Sequence, residues 1–226
     1  MQKRNYQIYP SLLDAYNWYA SSEKDEAEQE LINKINRVKF SSDLADKGTL
    51  FNNFIDNAID LHDKYGLSYV DGIASKIVEV LQGSQKQLYT ATTIEFDDIS
   101  IYMYGYLDFV KHDRIIDLKT TKTYELGKYK NYLQQHFYPI SLIDNGCQIT
   151  DFEFLVTDFE NVYSELYPVN YENSKAIIID KCKSLINFIE SNREKITDTK
   201  IFGIESAPSK LTLHDGPITI HEIVKP

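Results

Sequence analysis

Two short stretches near the middle of the chain decide the fold prediction: Gly105-Tyr-Leu-Asp108-Phe-Val110 and Ile115-Ile-Asp117-Leu-Lys119-Thr-Thr121. Both are rich in apolar and β-branched residues and lie on either side of a short turn, which predicts neighbouring antiparallel strands. Successive side chains on a strand alternate between faces, so Asp117 and Lys119 project to the same side. Asp108, near the end of the adjacent strand, can reach the same place. Two carboxylates and an ammonium are therefore predicted to meet at one edge of a sheet.

The same three side chains form a candidate metal site. Mg²⁺ and Mn²⁺ take oxygen ligands, often one or two carboxylates together with substrate phosphate and water. Asp108 and Asp117 offer such a pair, and Lys119 could orient the attacking water or help to deprotonate it. The alternative is that Asp108 merely ends a strand, while Asp117 and Lys119 form a surface ion pair worth under about 1 kcal/mol.

The overall charge limits the classes of function. The chain carries 34 acidic and 24 basic residues, a net charge of -10. Coating nucleic acid by charge alone is not expected, because non-specific affinity comes mostly from Lys and Arg on phosphates. Between residues 111 and 130, six basic residues face three acidic ones, a local +3. This stretch is either a basic path for a strand or a solvated surface.

The 226 residues suit one domain that can bury a core without staples. Cys147 and Cys182 have no CxxC pair and no neighbouring His, which argues against a zinc site and a disulfide framework. No apolar run approaches the ~20 residues of a membrane-spanning helix, so no membrane partner and a cytoplasmic location are expected. Residues 1–195 are predicted to form the main domain, with 196–226 as a strand-and-turn extension packed on it.

The spacing of apolar residues predicts a mixed α/β fold. Helices are expected at residues 11–19, from 48 onward, at 69–81, 126–143 and 172–189, with the acidic run at 23–30 as a solvated helical face. Strands are expected at residues 88–96, 99–110, 114–121, 149–156 and about 162–166.

Gln134 and Tyr138 lie four residues apart in the helix expected at residues 126–143, and hence on one face of it. An amide and a phenol on one face could contact phosphate or base. Residues of this kind at this spacing are, however, more often plain surface or partial core.

Taken in order, the GxxD stretch, the strand with DxK and Thr, and the helix with QxxxY resemble the RecB-type branch of the PD-(D/E)XK nuclease superfamily. That branch includes phage recombination exonucleases and CRISPR-adaptation nucleases. Farther upstream, Ser11-Leu-Leu-Asp-Ala-Tyr16 resembles its short opening helix, and Gly48-Thr-Leu-Phe-Asn52-Asn-Phe-Ile-Asp56 resembles its GTxxHxxxE helix. The resemblance covers about residues 9 to 140.

The resemblance implies a restriction-endonuclease-like core, with a mixed central sheet flanked by helices and a helical N-terminal part. It also implies a Mg²⁺- or Mn²⁺-dependent deoxyribonuclease, an exonuclease acting on single-stranded DNA or duplex ends in processing, recombination or repair. The metal would be held by Asp108, Asp117 and the main-chain carbonyl of Leu118. Lys119 would act in the chemical step, while Gln134 and Tyr138 would hold the substrate strand.

The sequence departs from this pattern in the helix that begins near Gly48. Asn52 stands where the branch usually has a metal-binding His, and Asp56 replaces the following Glu. Asn can offer a carbonyl oxygen to a metal but binds more weakly than imidazole. Glu95 is similar in position to an acid often found on the preceding strand. The rival interpretation is a catalytically weak nucleic-acid-binding or assembly protein that keeps the nuclease fold, and Asn52 is its best support.

Overall fold

The computed structural model describes residues 3–39, 42–65 and 72–203. Within these ranges the chain forms six strands and six α-helices, followed by two short 3-10 turns. The strands are β1 (Arg4–Ile8), β2 (Gln85–Phe96), β3 (Ile99–Lys111), β4 (Arg114–Thr120), β5 (Asp151–Thr157) and β6 (Val162–Pro168). The helices are α1 (Pro10–Ser21), α2 (Ala27–Ile35), α3 (Asp43–Tyr65), α4 (Gly72–Leu81), α5 (Gln134–Asp144) and α6 (Tyr171–Ser191).

All six strands belong to one mixed sheet in which β3 is the central strand. β2 pairs antiparallel with β3 along nearly its whole length. The other edge of β3 is shared between two strands, because β1 pairs in parallel with residues 99–103 and β4 pairs antiparallel with residues 109–111. β4 then continues in parallel beside β5, and β6 closes the sheet antiparallel to β5.

The sheet opens into a fork between β3 and β4. Pairing of the two strands stops at Phe109 and Ile116, beyond which the register of β4 continues only with β5. The side-chain alternation of β3 is also broken there, since Leu107 packs in one core and Phe109 in the other. Gln87, which lies opposite this break on β2, has a positive φ of 51°. The irregularity places Asp108 at the opening of the fork.

Two hydrophobic cores lie on the two faces of the sheet. The larger one packs helices α1, α2, α5 and α6 against the sheet through residues such as Leu12, Leu31, Phe137 and Ile186. The smaller one holds α3 and α4 against β4 and its neighbours through residues such as Ile55, Ile77 and Leu118. Helices on both sides of a mostly buried sheet form a three-layer α/β architecture.

Most of the predicted elements are confirmed, including the hairpin, the DxK strand, the last two strands and the long helix at the end of the described chain. The helix predicted at residues 126–143 is wrong in its first half, since residues 126–133 form turns and α5 begins at Gln134. Turn residues such as Gly127, with a φ of 79°, break the helical path there. Residues 69–71 of one predicted helix and residues 204–226 of the predicted extension lie outside the described residues.

The strand β1 was not expected from the sequence. It has five residues, of which Tyr6, Gln7 and Ile8 are buried. A run this short carries no periodic signal, and its place in the sheet depends on a parallel partner almost a hundred residues away. The 3-10 turn at Thr199–Phe202 lies against β1, where the rings of Phe202 and Tyr6 are 6.2 Å apart.

Candidate active site

The two predicted carboxylates meet in the fork between β3 and β4. Asp108 Oδ2 accepts a hydrogen bond of 3.0 Å from the main-chain N–H of Leu118, a donor that has lost its strand partner where the sheet opens. Asp117 precedes Leu118 on β4 and is 4% exposed. The two carboxylates therefore lie side by side in the fork. The side chain of Asp108 takes the place of the main-chain acceptor that the Leu118 N–H lacks on β3.

Lys119 is held between an acid and an amide. Its Nζ lies 2.7 Å from Asp117 Oδ2 and donates a hydrogen bond of 2.7 Å to Gln134 Oε1. The rings of Tyr132 and Phe154 have their centroids 5.9 Å from the same nitrogen. Burial opposes the charge on Lys119, but the nearby Asp117 and Asp108 outweigh it, so the pKa of Lys119 is raised. Lys119 is therefore an ammonium beside the two carboxylates, and its predicted action on the attacking water stays a prediction.

The negative charge in the fork exceeds what one lysine can balance. Burial raises the pKa of Asp108 to about 7, and the charge of Asp117 and, more weakly, that of Asp56 add to the effect. The charged form of Asp108 is therefore unfavourable in this buried place, because Lys119 offsets only part of the negative charge. A bound cation would remove that penalty.

Gln134 and Tyr138 are both brought to the fork, but both are buried, at 9% and 5% exposure. Gln134 is the first residue of α5 and orients Lys119. The Tyr138 hydroxyl donates a hydrogen bond of 2.6 Å to the main-chain carbonyl of Tyr106. Their positions are those of supports for the lysine and for β3, and their predicted role in holding the substrate strand stays a prediction.

Gly105 makes room for Tyr138. A Cβ at this position would lie 3.1 Å from Tyr138 Cε1, 3.3 Å from its hydroxyl and 3.1 Å from the ring of Pro10. The GxxD and QxxxY patterns are thus linked physically, because the glycine of the first accommodates the tyrosine of the second.

We expect Gly105→Ala to destabilise the protein by about 1 to 3 kcal/mol, because the added methyl overpacks a buried ring that is fixed by a hydrogen bond. Urea unfolding followed by circular dichroism would measure the change. In a Tyr138→Leu background the same substitution should cost less, since the ring is gone and only Pro10 remains close. An equal cost in both backgrounds would show that the contact with Tyr138 is not the cause.

Helix α3 approaches the fork from the opposite face of the sheet. Gly48 lies so close to β4 that a Cβ there would be 2.6 Å from Thr120 Oγ1. One turn farther along, Asn52 has a buried Oδ1 without a hydrogen-bond partner. After another turn, Asp56 is near enough for its charge to raise the pKa of Asp108. Residues four apart share a helix face, so Asn52 lies on the face that is directed at the fork.

The donors around the fork fit a hard divalent cation. They are the carboxylates of Asp108 and Asp117, the main-chain carbonyl of Leu118 and the unpaired amide oxygen of Asn52, all oxygen atoms. An orphaned buried oxygen costs free energy unless something pairs with it, and a cation would do so. Within the described parts of the chain, no group of three or more His, Cys, Asp or Glu side chains is placed to hold a metal ion. A metal here would therefore need the neutral oxygens as well as the two acids.

Glu95 is not part of this site. It lies opposite Ser100 at the far end of the hairpin and forms an exposed ion pair with Lys3. Asp108 is eight residues from Ser100 on β3, a distance of roughly 26 Å at the rise of an extended strand. The similarity in sequence position was misleading because a long hairpin separates the two acids.

Sequence reasoning missed the role of Asp14, although it lies in the Ser11–Tyr16 stretch that was singled out. Asp14 Oδ1 accepts a hydrogen bond of 2.6 Å from the main-chain N–H of Leu133, immediately before α5. A carboxylate at that helix start ties α1 to the residue next to Gln134 and is favoured by the helix dipole. Burial raises the pKa of Asp14 to about 6, and the charge of Asp117 contributes, while Lys119 opposes the change.

We expect the contribution of Asp14 to the free energy of unfolding to fall as the pH rises from about 4 to 6, because the folded protein holds a proton on Asp14 that the unfolded chain has already lost. Asp14→Asn keeps an acceptor for the Leu133 N–H and removes this penalty. The variant should be more stable than the original by about 1 to 2 kcal/mol above pH 7, with no difference below pH 4. Urea unfolding across this pH range would measure it, with exposed Asp25→Asn as the control for a lost charge. A constant difference at every pH would contradict the prediction.

No protein-family model and no curated protein sequence matches the chain. Among solved structures, a candidate exonuclease from Eubacterium rectale has a similar fold, with a TM-score of 0.50 and 13% identity over 91% of this chain and 92% of that one. An alkaline exonuclease from Laribacter hongkongensis gives a TM-score of 0.45 and 12% identity over 84% of this chain and 89% of that one. The predicted fold class, a restriction-endonuclease-like mixed sheet flanked by helices, is confirmed.

None of the helices in the described ranges combines the length and the apolar character that crossing a bilayer requires.

Proposed function

We propose that this protein is a metal-dependent nuclease that hydrolyses phosphodiester bonds in DNA, acting as an exonuclease. The observation that carries the proposal is the meeting of Asp108, Asp117 and Lys119 at the fork of the sheet, beside the unpaired oxygen of Asn52. The similar fold of the Eubacterium rectale protein supports a nuclease at the level of architecture. Metal dependence and the DNA substrate are our own inference from the chemistry of the site.

The residues of the fork have distinct roles in this proposal. Asp108, Asp117, the Leu118 carbonyl and Asn52 would hold Mg²⁺ or Mn²⁺. When bound, such a cation would polarise the scissile phosphate and lower the pKa of a coordinated water. Lys119 presents its ammonium beside this place and would stabilise the charge that develops on phosphate oxygens. Gln134 and Asp117 keep the ammonium in position through the two contacts of 2.7 Å.

The proposal is tested by incubating the purified protein with labelled single-stranded and duplex DNA, each with open and with closed ends. Reactions would contain Mg²⁺, Mn²⁺ or EDTA. Cleavage only with metal and only from open ends is expected. Cleavage of closed circles would instead indicate an endonuclease, and no cleavage in any metal would contradict the nuclease proposal.

The rival, a catalytically weak binding or assembly protein, is favoured by one observation: Asn52 stands where an imidazole is usual in the resembled branch. The burial of an unpaired amide oxygen argues the other way, because a protein that had abandoned metal would gain stability by pairing or replacing it.

We expect Asn52→His to tighten Mn²⁺ binding by about tenfold, because imidazole is a better ligand than an amide oxygen for this ion. Asn52→Ala should weaken binding or leave it unchanged. Isothermal titration calorimetry with Mn²⁺ measures both, and exposed Asn53→His on the same helix is the matched control. If a crystal soaked in Mn²⁺ placed residue 52 beyond any water-bridged contact with the ion, Asn52 would be removed from the ligand set.

A further inference from the structure

A cleft opens next to the fork, on the side of the larger core. It lies between α1, α2 and the turn that precedes α5, and its volume is about 710 Å³. We call it the α1–α2 cleft, and its main lining residues are Asp14, Trp18, Leu31, Lys34, Asn131 and Tyr132. The volume lies within the range of about 300 to 1,000 Å³ that is typical of ligand sites.

Two residues connect the cleft with the candidate active site. Asp14, on the cleft wall, interacts through its charge with Lys119 and Asp117. Tyr132 lines the cleft on one side, and its ring centroid is 5.9 Å from Lys119 Nζ. A nucleic-acid strand with one phosphate at Lys119 would therefore have its neighbouring nucleotides beside the cleft.

The cleft exposes two large aromatic rings. Trp18 is 39% exposed and Tyr132 is 37% exposed, although rings of this size are usually buried where packing permits. The ammonium of Lys24 is 5.5 Å from the centre of the Trp18 ring. Exposed aromatic rings beside a cation are the features on which unpaired bases stack while the backbone phosphates are neutralised.

The charge of the cleft indicates that nucleobases, and not phosphates, would occupy it. Its wall carries two acidic residues, Asp14 and Glu30, and one basic residue, Lys34, together with neutral amide and hydroxyl groups. A wall without excess positive charge does not attract a phosphate backbone into its interior. A single strand would therefore enter with its bases toward the aromatic rings and its phosphates toward solvent.

We propose that the α1–α2 cleft receives unpaired nucleotides of the substrate strand next to the scissile phosphate, with bases stacked on Trp18 and Tyr132. The proposal rests on the proposed nuclease function and deepens it, because it assigns single-stranded ends as the substrate at this site. Duplex DNA would need to be unpaired locally before a base could enter.

Trp18 is the only tryptophan of the chain, so its fluorescence reports directly on the cleft. The full chain in EDTA would be titrated with oligothymidylate and with oligouridylate, each about eight nucleotides long. We expect saturable quenching of Trp18 emission, and the stronger of the two ligands identifies DNA or RNA as the source of the bases. Binding should weaken with salt less steeply than binding driven by phosphate contacts.

Tyr132→Leu should weaken this binding by about tenfold, since one stacking surface is lost while the packing against Phe154 is partly kept. Leu166→Ala, which alters an exposed apolar side chain on the distant strand β6, should bind like the original chain. Trp18→Leu has no tryptophan emission, so its binding would be followed by the anisotropy of a labelled oligonucleotide. Thermal unfolding by circular dichroism would confirm that each variant folds.

The proposal is overturned if neither oligonucleotide changes the Trp18 emission, if inorganic phosphate alone causes the same quenching, or if Tyr132→Leu binds like Leu166→Ala. Its failure can be told apart from that of the nuclease proposal. Metal-dependent cleavage without quenching would disprove the role of the cleft only, whereas quenching without cleavage in any metal would disprove the nuclease only.

Discussion

Asp108→Asn should abolish metal-dependent DNA cleavage, with a loss of at least about 100-fold at any practical concentration of Mg²⁺ or Mn²⁺. Among the described residues Asp108 and Asp117 are the two carboxylates placed in the fork, so the loss of Asp108 leaves Asp117 as the single anionic ligand. The asparagine can still accept the hydrogen bond from the Leu118 N–H, which should preserve the fork. Timed gel assays with labelled DNA would measure the rate.

The same variant should be at least as stable as the original chain in EDTA at neutral pH. Its neutral side chain removes the repulsion and the burial cost that raise the pKa of Asp108 to about 7. Asp117→Asn should also abolish cleavage but should destabilise the fold, because Lys119 would lose its buried ion-pair partner. Exposed Asp180→Asn on α6 is the control. Full activity of Asp108→Asn in metal would exclude this carboxylate from the active site.

Lys119→Ala should lower the rate of cleavage by about 100- to 1,000-fold at saturating metal, because the ammonium stabilises charge that develops only in the transition state. Metal binding measured by calorimetry should remain, since an ammonium is not a ligand. Lys76→Ala, which removes an exposed lysine on α4, should leave both properties unchanged. Loss of metal binding with normal chemistry per bound metal would make Lys119 part of the scaffold instead.

Gln134→Ala provides a graded comparison with the lysine variant. It removes the hydrogen bond that positions Lys119 Nζ and leaves its ion pair with Asp117. A loss of rate of about tenfold is expected, smaller than for Lys119→Ala, and the two effects should not add in the double variant because they act through the same ammonium. Additive effects would show that Gln134 acts independently of the lysine.

Helix α5 has a position that the sequence predicts and a burial that it does not. The QxxxY spacing correctly placed Gln134 and Tyr138 on one helix face, since both are directed at the fork. The sequence did not show that this face is buried, because amide and phenol side chains occur both at surfaces and in hydrogen-bonded interiors. Burial depends on Lys119, Gly105 and the Tyr106 carbonyl, which meet α5 only in the folded chain.

The sequence by itself determined the order of most elements and the meeting of Asp108, Asp117 and Lys119. Alternation along a strand and the pairing of neighbouring strands are local rules, and these residues are separated by a short turn. Tertiary structure alone decided the pairing of β1 with β3, the opening of the fork and the contact of Asp14 with Leu133. These features join segments about 90 to 120 residues apart or depend on where two strands part. No local periodicity encodes such contacts, because they form only when segments that are distant in the sequence pack against each other.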